Sequence, residues 1–391
     1  MKKIGLLLGA EPNNGGQFQY SQTMMHAVGA LPAQDYSVVV AYMSKLWAGY
    51  IDECGLSSVY VKKGFWGRAL GRLWRIFDLP VSAWRKMTPY FHPIAKALLK
   101  EGCHLWIIAS QEADSFQFPV PALATIHDLM HRYETRFPEV SARGGFRLRE
   151  WSLRNTCQWA KGILVDSEVG KAQVMESYGL RRESIFVLPY IVPEYIYSQQ
   201  APADFNLRYQ LPEKYIFYPA QFWRHKNHLN LINAMGYLKN DIPDLKLVLA
   251  GSKKNGYKAA IKQIQSLRLT DDVIILGYVP DEDMPELYRR ARAMVMPTFF
   301  GPTNIPPLEA FAVGCPVAVS GIYGIPAQVG DAALLFNPGS VCEIAECIRR
   351  LWIDDNLCLE LVDRGKRRVA KWGQEQFNSR LRCVVESLLR Q

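Results

Sequence analysis

The stretch KYIFYPAQFWRHKNHLNLINA, residues 214–234, opens on an apolar run, closes on a second with helical spacing, and sets Arg224, His225, Lys226 and Asn227 between them. Short strand, cationic loop and apolar helix form half of a β-α-β unit. In such units the loop after a strand feeds a helix N-terminus, whose free N–H groups and positive dipole attract anions. Arginine binds a diphosphate bidentately and lysine binds it as a point charge, so Arg224 and Lys226 are candidates for that ligand. An exposed basic loop is the alternative.

The same unit recurs along the chain. KKIGLLLGA, YSVVVAYM, HLWIIAS, ALATIHD and GILVDS are short apolar runs separated by helical spacing, and KYIFYPAQ, LKLVLAGS, DVIILGYV, ARAMVMPT and GCPVAVSG repeat the plan. Runs apolar on both faces, alternating with helices, predict parallel, doubly wound sheets in an α/β protein. Two sets predict two domains with their strand ends across a cleft. The Pro- and Tyr-rich segment 187–205 lacks periodicity and reads as the linker between a domain over 1–190 and one over 205–372. The end of the chain, 373–391, has helical spacing and no following strand, so it is expected to close back on the first domain.

A chain of 391 residues suits about two to three domains. Its 49% hydrophobic and 21% charged residues exclude disordered and collagen-like classes. Eight cysteines without a C-x-x-C pair indicate neither a zinc site nor a disulfide framework, and a cytoplasmic location fits them. The start, MKKIGLLLGAEPNNGG, reads as a buried first strand rather than a leader, because its apolar run is short and ends in Glu11 and a glycine pair. No stretch is long enough to span a bilayer.

Three further loops follow strands. Gly15 and Gly16 let the backbone approach a ligand before a helix; a glycine pair is also an ordinary loop device. His127 and Asp128 directly follow the strand ALATI, the place for catalytic side chains, although Asp128 equally suits a helix cap. In FFGPTNIPPLEAFAVGCPVAVS, residues 299–320, a stiff turn precedes a helix whose first turn carries the single acid Glu309. Thr303, Asn304 and Ile305 offer backbone N–H groups near the helix start, and proline is tolerated in a first turn. Glu309 lies one turn beyond Ile305 on the same face, where a carboxylate accepts from two ribose hydroxyls. The turn and helix together read as a nucleoside-diphosphate seat.

With these residues quoted, the chain resembles the retaining glycosyltransferases of family 4, which have the GT-B fold. The likeness rests on the Gly15-Gly16 loop, His127-Asp128, ILVDSEVGKAQV, the HKN containing Lys226, LVLAGS with Gly251, ILGYVPDEDMPELYRRARAMVMPT with Tyr278, PPLEAFAVGCPVAVS and VGDAALLFNPGS. The resemblance implies that domain 1–190 binds the acceptor and 205–372 the nucleotide-sugar donor. It implies that Lys226 binds the donor diphosphate, Glu309 the ribose and the backbone of 304–306, through Pro306, phosphate. Gly16 lies against the donor and His127 near the transferred sugar. Gly15, Gln221, Arg224, Gly251, Tyr278 and Thr303 complete the expected donor site, with His127 and Asp128 as catalytic candidates. Two positions depart from the family pattern. The first acid of its E-x7-E falls on Gly301, and its usual arginine five residues before the lysine falls on Gln221.

The reaction implied is hexose transfer from a nucleotide-diphosphate sugar to a hydroxyl of a glycan or lipid-linked acceptor, with retention and without cofactor or metal. The acids Asp281 to Asp283 are expected to cap the next helix rather than to bind a metal. A nucleotide-sugar epimerase and a donor-binding inactive subunit are the alternatives. The net charge of +9 concentrates in segment 60–100, with nine Lys/Arg against the single acid Asp78. There WGRALGRLWRIF sets Trp66, Leu70, Leu73, Trp74 and Phe77 against Arg68, Arg72 and Arg75, the pattern of an interfacial helix on an anionic membrane. Packing of its aromatic face on the first domain is the alternative, and nucleic acid is not the expected partner.

Overall fold

Buried runs of β-branched and aliphatic residues build two parallel sheets. The computed structural model describes residues 1–11, 15–62, 64, 70–71, 74, 80–111, 114–198 and 202–390, with the backbone alone at 143. The first sheet holds β1 (Lys2–Leu8), β2 (Tyr36–Tyr42), β3 (Ser58–Tyr60), β4 (Leu105–Ile108), β5 (Ala122–Thr125), β6 (Gly162–Val165) and β7 (Ile185–Val187). Its order is β3-β2-β1-β4-β5-β6-β7. The second holds β8 (Ile216–Pro219), β9 (Leu247–Ala250), β10 (Val273–Gly277), β11 (Ala293–Met296), β12 (Val317–Ser320) and β13 (Leu334–Phe336), in the order β10-β9-β8-β11-β12-β13. Every pairing is parallel, as in β1 with β4 and β8 with β11.

Both orders are those of a doubly wound Rossmann-like sheet. The central strands β4, β5, β6, β9, β11 and β12 are buried throughout, because helices cover both faces. The three strands not anticipated from the sequence, β3, β7 and β13, are sheet edges of three residues with mixed burial. Each is too short for a periodic signal.

The chain divides into two compact units: Met1–Leu129, Arg147–Pro189 and Gln374–Gln391 form the first, and Met130–Phe146 with Tyr190–Gly373 the second. The C-terminal helix Gln374–Arg390 buries Phe377, Leu381, Val384, Val385 and Leu388 in the first unit. The segment expected to be linker does more than connect. It carries a short 3-10 turn, Glu194–Tyr197, with Ile196 fully buried in the core of the second unit. The segment Met130–Phe146, expected within the first domain, groups with the second unit. The reason is a set of polar and aromatic ties: Glu139 accepts from Nδ1 of His225 at 2.6 Å, from the His225 N–H at 3.0 Å and from Nδ2 of Asn255 at 2.8 Å. Phe137 meets Phe299 at 5.8 Å between ring centroids, and Tyr323 donates to Glu134 at 3.0 Å.

Two sequence expectations change here. Asp281–Asp283 form a 3-10 turn with no side-chain cap bond at it or at the following helix Met284–Arg290. Asp283, fully buried, instead accepts from Arg208, at 2.8 Å from Nη2, and from Tyr209 at 2.8 Å. A buried carboxylate requires such donors, and the remote arginine supplies them. In segment 60–100, Trp74 is buried, stacks on Trp84 at 4.5 Å and 3°, and has Leu70 packed beside it. At these two positions the apolar face turns into the protein rather than toward a membrane. Trp66, Arg68, Arg72, Leu73, Arg75 and Phe77 lie outside the described residues.

Burial pushes the Glu139 carboxyl up, but the hydrogen bonds from His225 and Asn255 outweigh it and bring it down to about 2 from 4.5. Its contribution is therefore complete above pH 4.5 and lost as the pH falls toward 2. Glu139→Ala should cost about 1–3 kcal/mol at pH 7, since it strands the His225 and Asn255 donors. The gap in urea midpoint between the two proteins should narrow markedly by about pH 3. A gap independent of pH would rule out the carboxylate as its source.

Candidate active site

In the second sheet the strand order reverses between β8 and β11, which places the loops after these two strands on either side of a switch point, the usual ligand position of such sheets. After β8 the chain passes Gln221 and the 3-10 turn Arg224–Lys226 into the helix His228–Leu238. Asn227 makes this possible by adopting a left-handed φ of 59°. Its buried Nδ2 donates to the carbonyls of Pro297 at 2.9 Å and Pro338 at 2.8 Å, fastening the β8 loop to the chain after β11 and to the chain after β13. Tyr218 donates to the Lys226 carbonyl at 2.8 Å, and the Phe299 N–H donates to the His225 carbonyl at 2.7 Å. The backbone that presents Lys226 is thus fixed from both loops, and its Nζ donates to Oδ1 of Asn304 at 3.2 Å.

After β11 the turn 297–305 leads into the helix Pro306–Val313. Gly301 has φ +146°, and a Cβ there would lie 2.4 Å from Nδ2 of Asn304. Only glycine fits this turn: a side chain at 301 would need a different backbone. Asn304 is held by the amide of Gln328, which accepts from its N–H at 3.0 Å and donates to its carbonyl at 2.7 Å. The expectation of backbone N–H groups aimed at phosphate narrows accordingly. Pro306 and Pro307 have none, and that of Asn304 is already engaged.

Glu309 lies in the first turn of this helix, 5% exposed. One carboxylate oxygen accepts from the Tyr195 hydroxyl at 2.5 Å and the other from Tyr288 at 2.5 Å. Burial raises the Glu309 carboxyl above its usual range, the two tyrosine bonds oppose this, and Asp281 adds to the rise. Burial likewise drives both tyrosines far up, so they remain neutral donors. Each carboxylate oxygen keeps a second lone pair for a further hydroxyl.

The other expected donor residues are dispersed over the same loops. Gln221 accepts from the Trp223 indole at 3.0 Å, and the exposed Arg224 is placed through its N–H on Asn255 at 3.1 Å. Gly251, at φ +150°, packs where a Cβ would come within 2.2 Å of the Ala220 carbonyl, so it lets the β8 and β9 loops meet. Tyr278 follows β10, 58% exposed, and Thr303 and Ile305 are half-buried in the β11 turn.

The first unit assembles its own polar site beside β5. Gln111, after β4, accepts from the N–H groups of His127 at 2.7 Å and Asp128 at 3.1 Å, and donates to the Asp128 carbonyl at 3.1 Å. Asp128 accepts from Arg149 at 2.6 Å, so this carboxylate forms an ion pair. Nε2 of His127 donates to the Ala109 carbonyl at 3.1 Å, which leaves the lone pair on Nδ1, and Tyr20 meets the ring edge-on at 5.1 Å. Burial lowers the His127 pKa against Asp128 and the Ala109 bond, which raise it. A cavity of about 150 Å³ beside the pair is lined by Gln17, Gln111, Asp128, Arg149 and Ser152. Gly15, with φ 57°, turns the chain into the helix Gly16–Gly29.

Residues 201–368 match the family model described as glycosyl transferases group 1. This match falls in the second unit, and Lys226, Asn304 and Glu309 all lie within the matched residues. The chain is 30% identical to the O-antigen chain mannosyltransferase B of Escherichia coli over 242 residues, 60% of this chain and 62% of that protein. It is 25% identical to the serotype-specific mannosyltransferase WbdA of Escherichia coli over 244 residues, 59% of this chain and 29% of the relative. The matches thus span less than two thirds of these relatives. Among solved structures, Anabaena HepE in complex with UDP and glucose superposes with a TM-score of 0.73 at 17% identity, over 99% of this chain and 100% of that one. Sucrose-phosphate synthase from Thermosynechococcus elongatus gives 0.74 at 19% over 100% of both. The fold is that of the GT-B class, with two Rossmann-like domains.

Tyr195, Tyr288, Gln328, Gln111 and Arg149 were not anticipated. Gln111 had a legible signal, a polar residue just after an apolar strand; the others are brought in from elsewhere in the chain without a local pattern. Tyr288→Phe keeps the ring and leaves one buried Glu309 oxygen without its donor, so it should lower stability by about 1–3 kcal/mol. The readout is a lower urea midpoint at unchanged slope, and an unchanged midpoint would remove the bond from the account.

Proposed function

We propose that this chain transfers a hexose from a nucleotide-diphosphate sugar to a hydroxyl of a glycan or lipid-linked precursor of a surface polysaccharide, with retention at the anomeric carbon. The observation that carries this reading is the set formed by Lys226, Asn304 and Glu309 around the switch point of the second sheet, inside the matched domain. The names of the relatives favour mannose as the hexose. Lys226 would balance the diphosphate, Glu309 would take the ribose hydroxyls, and His127, with Asp128 beside it, would meet the transferred sugar. The acceptor oxygen bonds to the anomeric carbon on the face the diphosphate leaves, the bond from that carbon to the phosphate oxygen breaks, and the acceptor proton passes to the leaving phosphate. Catalysis then consists of positioning and of stabilising charge on the leaving group. The glycine at 301 gives no support to an inactive subunit, because the turn itself requires it.

We place the acceptor on an anionic membrane surface at the inner face of the plasma membrane, held by the basic residues of segment 60–100 rather than by the Trp74 face. Each basic residue near such a surface contributes about 1 kcal/mol.

One assay tests these points: GDP- and UDP-hexoses, a lipid-linked saccharide in vesicles with anionic lipid, and mass and NMR analysis of the product. Wild type should form an axial or equatorial linkage matching that of its donor. Lys226→Ala should weaken nucleoside-diphosphate binding by about tenfold or more. Chelator should leave the rate intact. Arg68→Gln, Arg72→Gln and Arg75→Gln together should slow transfer to the vesicle acceptor without changing donor affinity. No product with any donor and acceptor, or inversion of configuration, would refute the reading.

A further inference from the structure

The donor seat contains a hydrogen-bond donor that the protein leaves unused. Asn304 is 8% exposed, and its Nδ2 has no partner. The orientation of this amide is fixed, because Oδ1 faces Nζ of Lys226 at 3.2 Å and an ammonium can only donate. The backbone of Asn304 is held in place, since Gln328 accepts from its N–H at 3.0 Å and donates to its carbonyl at 2.7 Å. Gly301 reinforces the arrangement, as a Cβ at that position would come within 2.4 Å of Nδ2. Buried polar groups are nearly always partnered, so an NH2 group fixed in this way calls for an acceptor from outside the chain. The acceptor must also suit the adjacent ammonium, and an anionic oxygen that takes several donors at once is a phosphate oxygen.

We propose that Nδ2 of Asn304 donates to a phosphate oxygen of the bound nucleoside diphosphate, while its Oδ1 holds the Lys226 ammonium toward the same group. This rests on the seat being the nucleotide-sugar site proposed above. The side chain of Asn304 supplies the contact that its backbone N–H, bonded to Gln328, does not. The turn therefore recognises diphosphate through a carboxamide, and the glycine at 301 is the space that carboxamide needs.

Calorimetry on the full chain with UDP and GDP tests this. Asn304→Asp keeps the shape and the oxygen facing Lys226 but removes the NH2 group; Asn304→Ala removes both. Each should weaken nucleoside-diphosphate binding about ten- to a hundredfold, with a similar loss for the corresponding nucleotide sugar. Asn304→Ala should also weaken binding further when added to Lys226→Ala, because Nδ2 touches the ligand itself. If Asn304→Ala costs nothing once Lys226 is gone, the residue acts only through the lysine and the proposal fails. It also fails if the loss appears with the nucleotide sugar alone, which would assign the contact to the hexose. Should Asn304→Ala not fold, the isosteric Asn304→Asp decides, and undiminished affinity in it overturns the proposal. Wild type binding neither UDP nor GDP would instead overturn the nucleotide seat, and the proposal with it.

Discussion

A carboxylate buried to 5% exposure must find donors or lose its charge, and the second unit is organised around how Glu309 does so. Its two oxygens draw Tyr195 from the chain entering the second unit and Tyr288 from the helix before β11, each at 2.5 Å. Three segments are thereby fixed on one side chain at the first turn of a helix. The arrangement trades a desolvated charge for positional definition, and it leaves lone pairs that a diol could use.

The rest of the seat follows from the topology. A sheet whose order reverses between β8 and β11 opens a gap at the carboxyl ends of those strands, and both of their loops end there. Asn227 joins the β8 loop to the β11 loop at Pro297 and to the chain after β13 at Pro338, Gln328 clasps Asn304, and Lys226 reaches across to Asn304. Rigidity here has a direct use under the proposed reaction, in which donors already in place would stabilise charge on the leaving diphosphate. In the first unit Gln111 does the same for His127 and Asp128, holding the loop by three hydrogen bonds from one amide.

Much of this was legible in the sequence because the signals are local. Buried parallel strands are continuous apolar runs, so ten strands could be read from the chain; β3, β7 and β13 could not, being three-residue edges. Lys226 and Glu309 stood out as charges at a strand end and in a helix first turn. What was not legible depends on partners distant in sequence. Tyr195 lies 114 residues from Glu309, and Arg208 lies 75 residues from Asp283, whose acidic run therefore read as a cap. The phosphate contact assigned to the 304–306 backbone narrowed for a similar reason, as Gln328 is 24 residues away. Glu139 drew the segment Met130–Phe146 into the second unit by bonds to His225 and Asn255 that no periodicity announces.

Hydrogen exchange measured by mass spectrometry, with and without a saturating nucleotide sugar, tests the central claim most directly. The account predicts slowed exchange in the peptides covering 224–227 and 301–309, where Lys226, Asn304 and Glu309 would close on the ligand. Slowed exchange elsewhere in the second unit, with these two stretches unchanged under saturation, would contradict it.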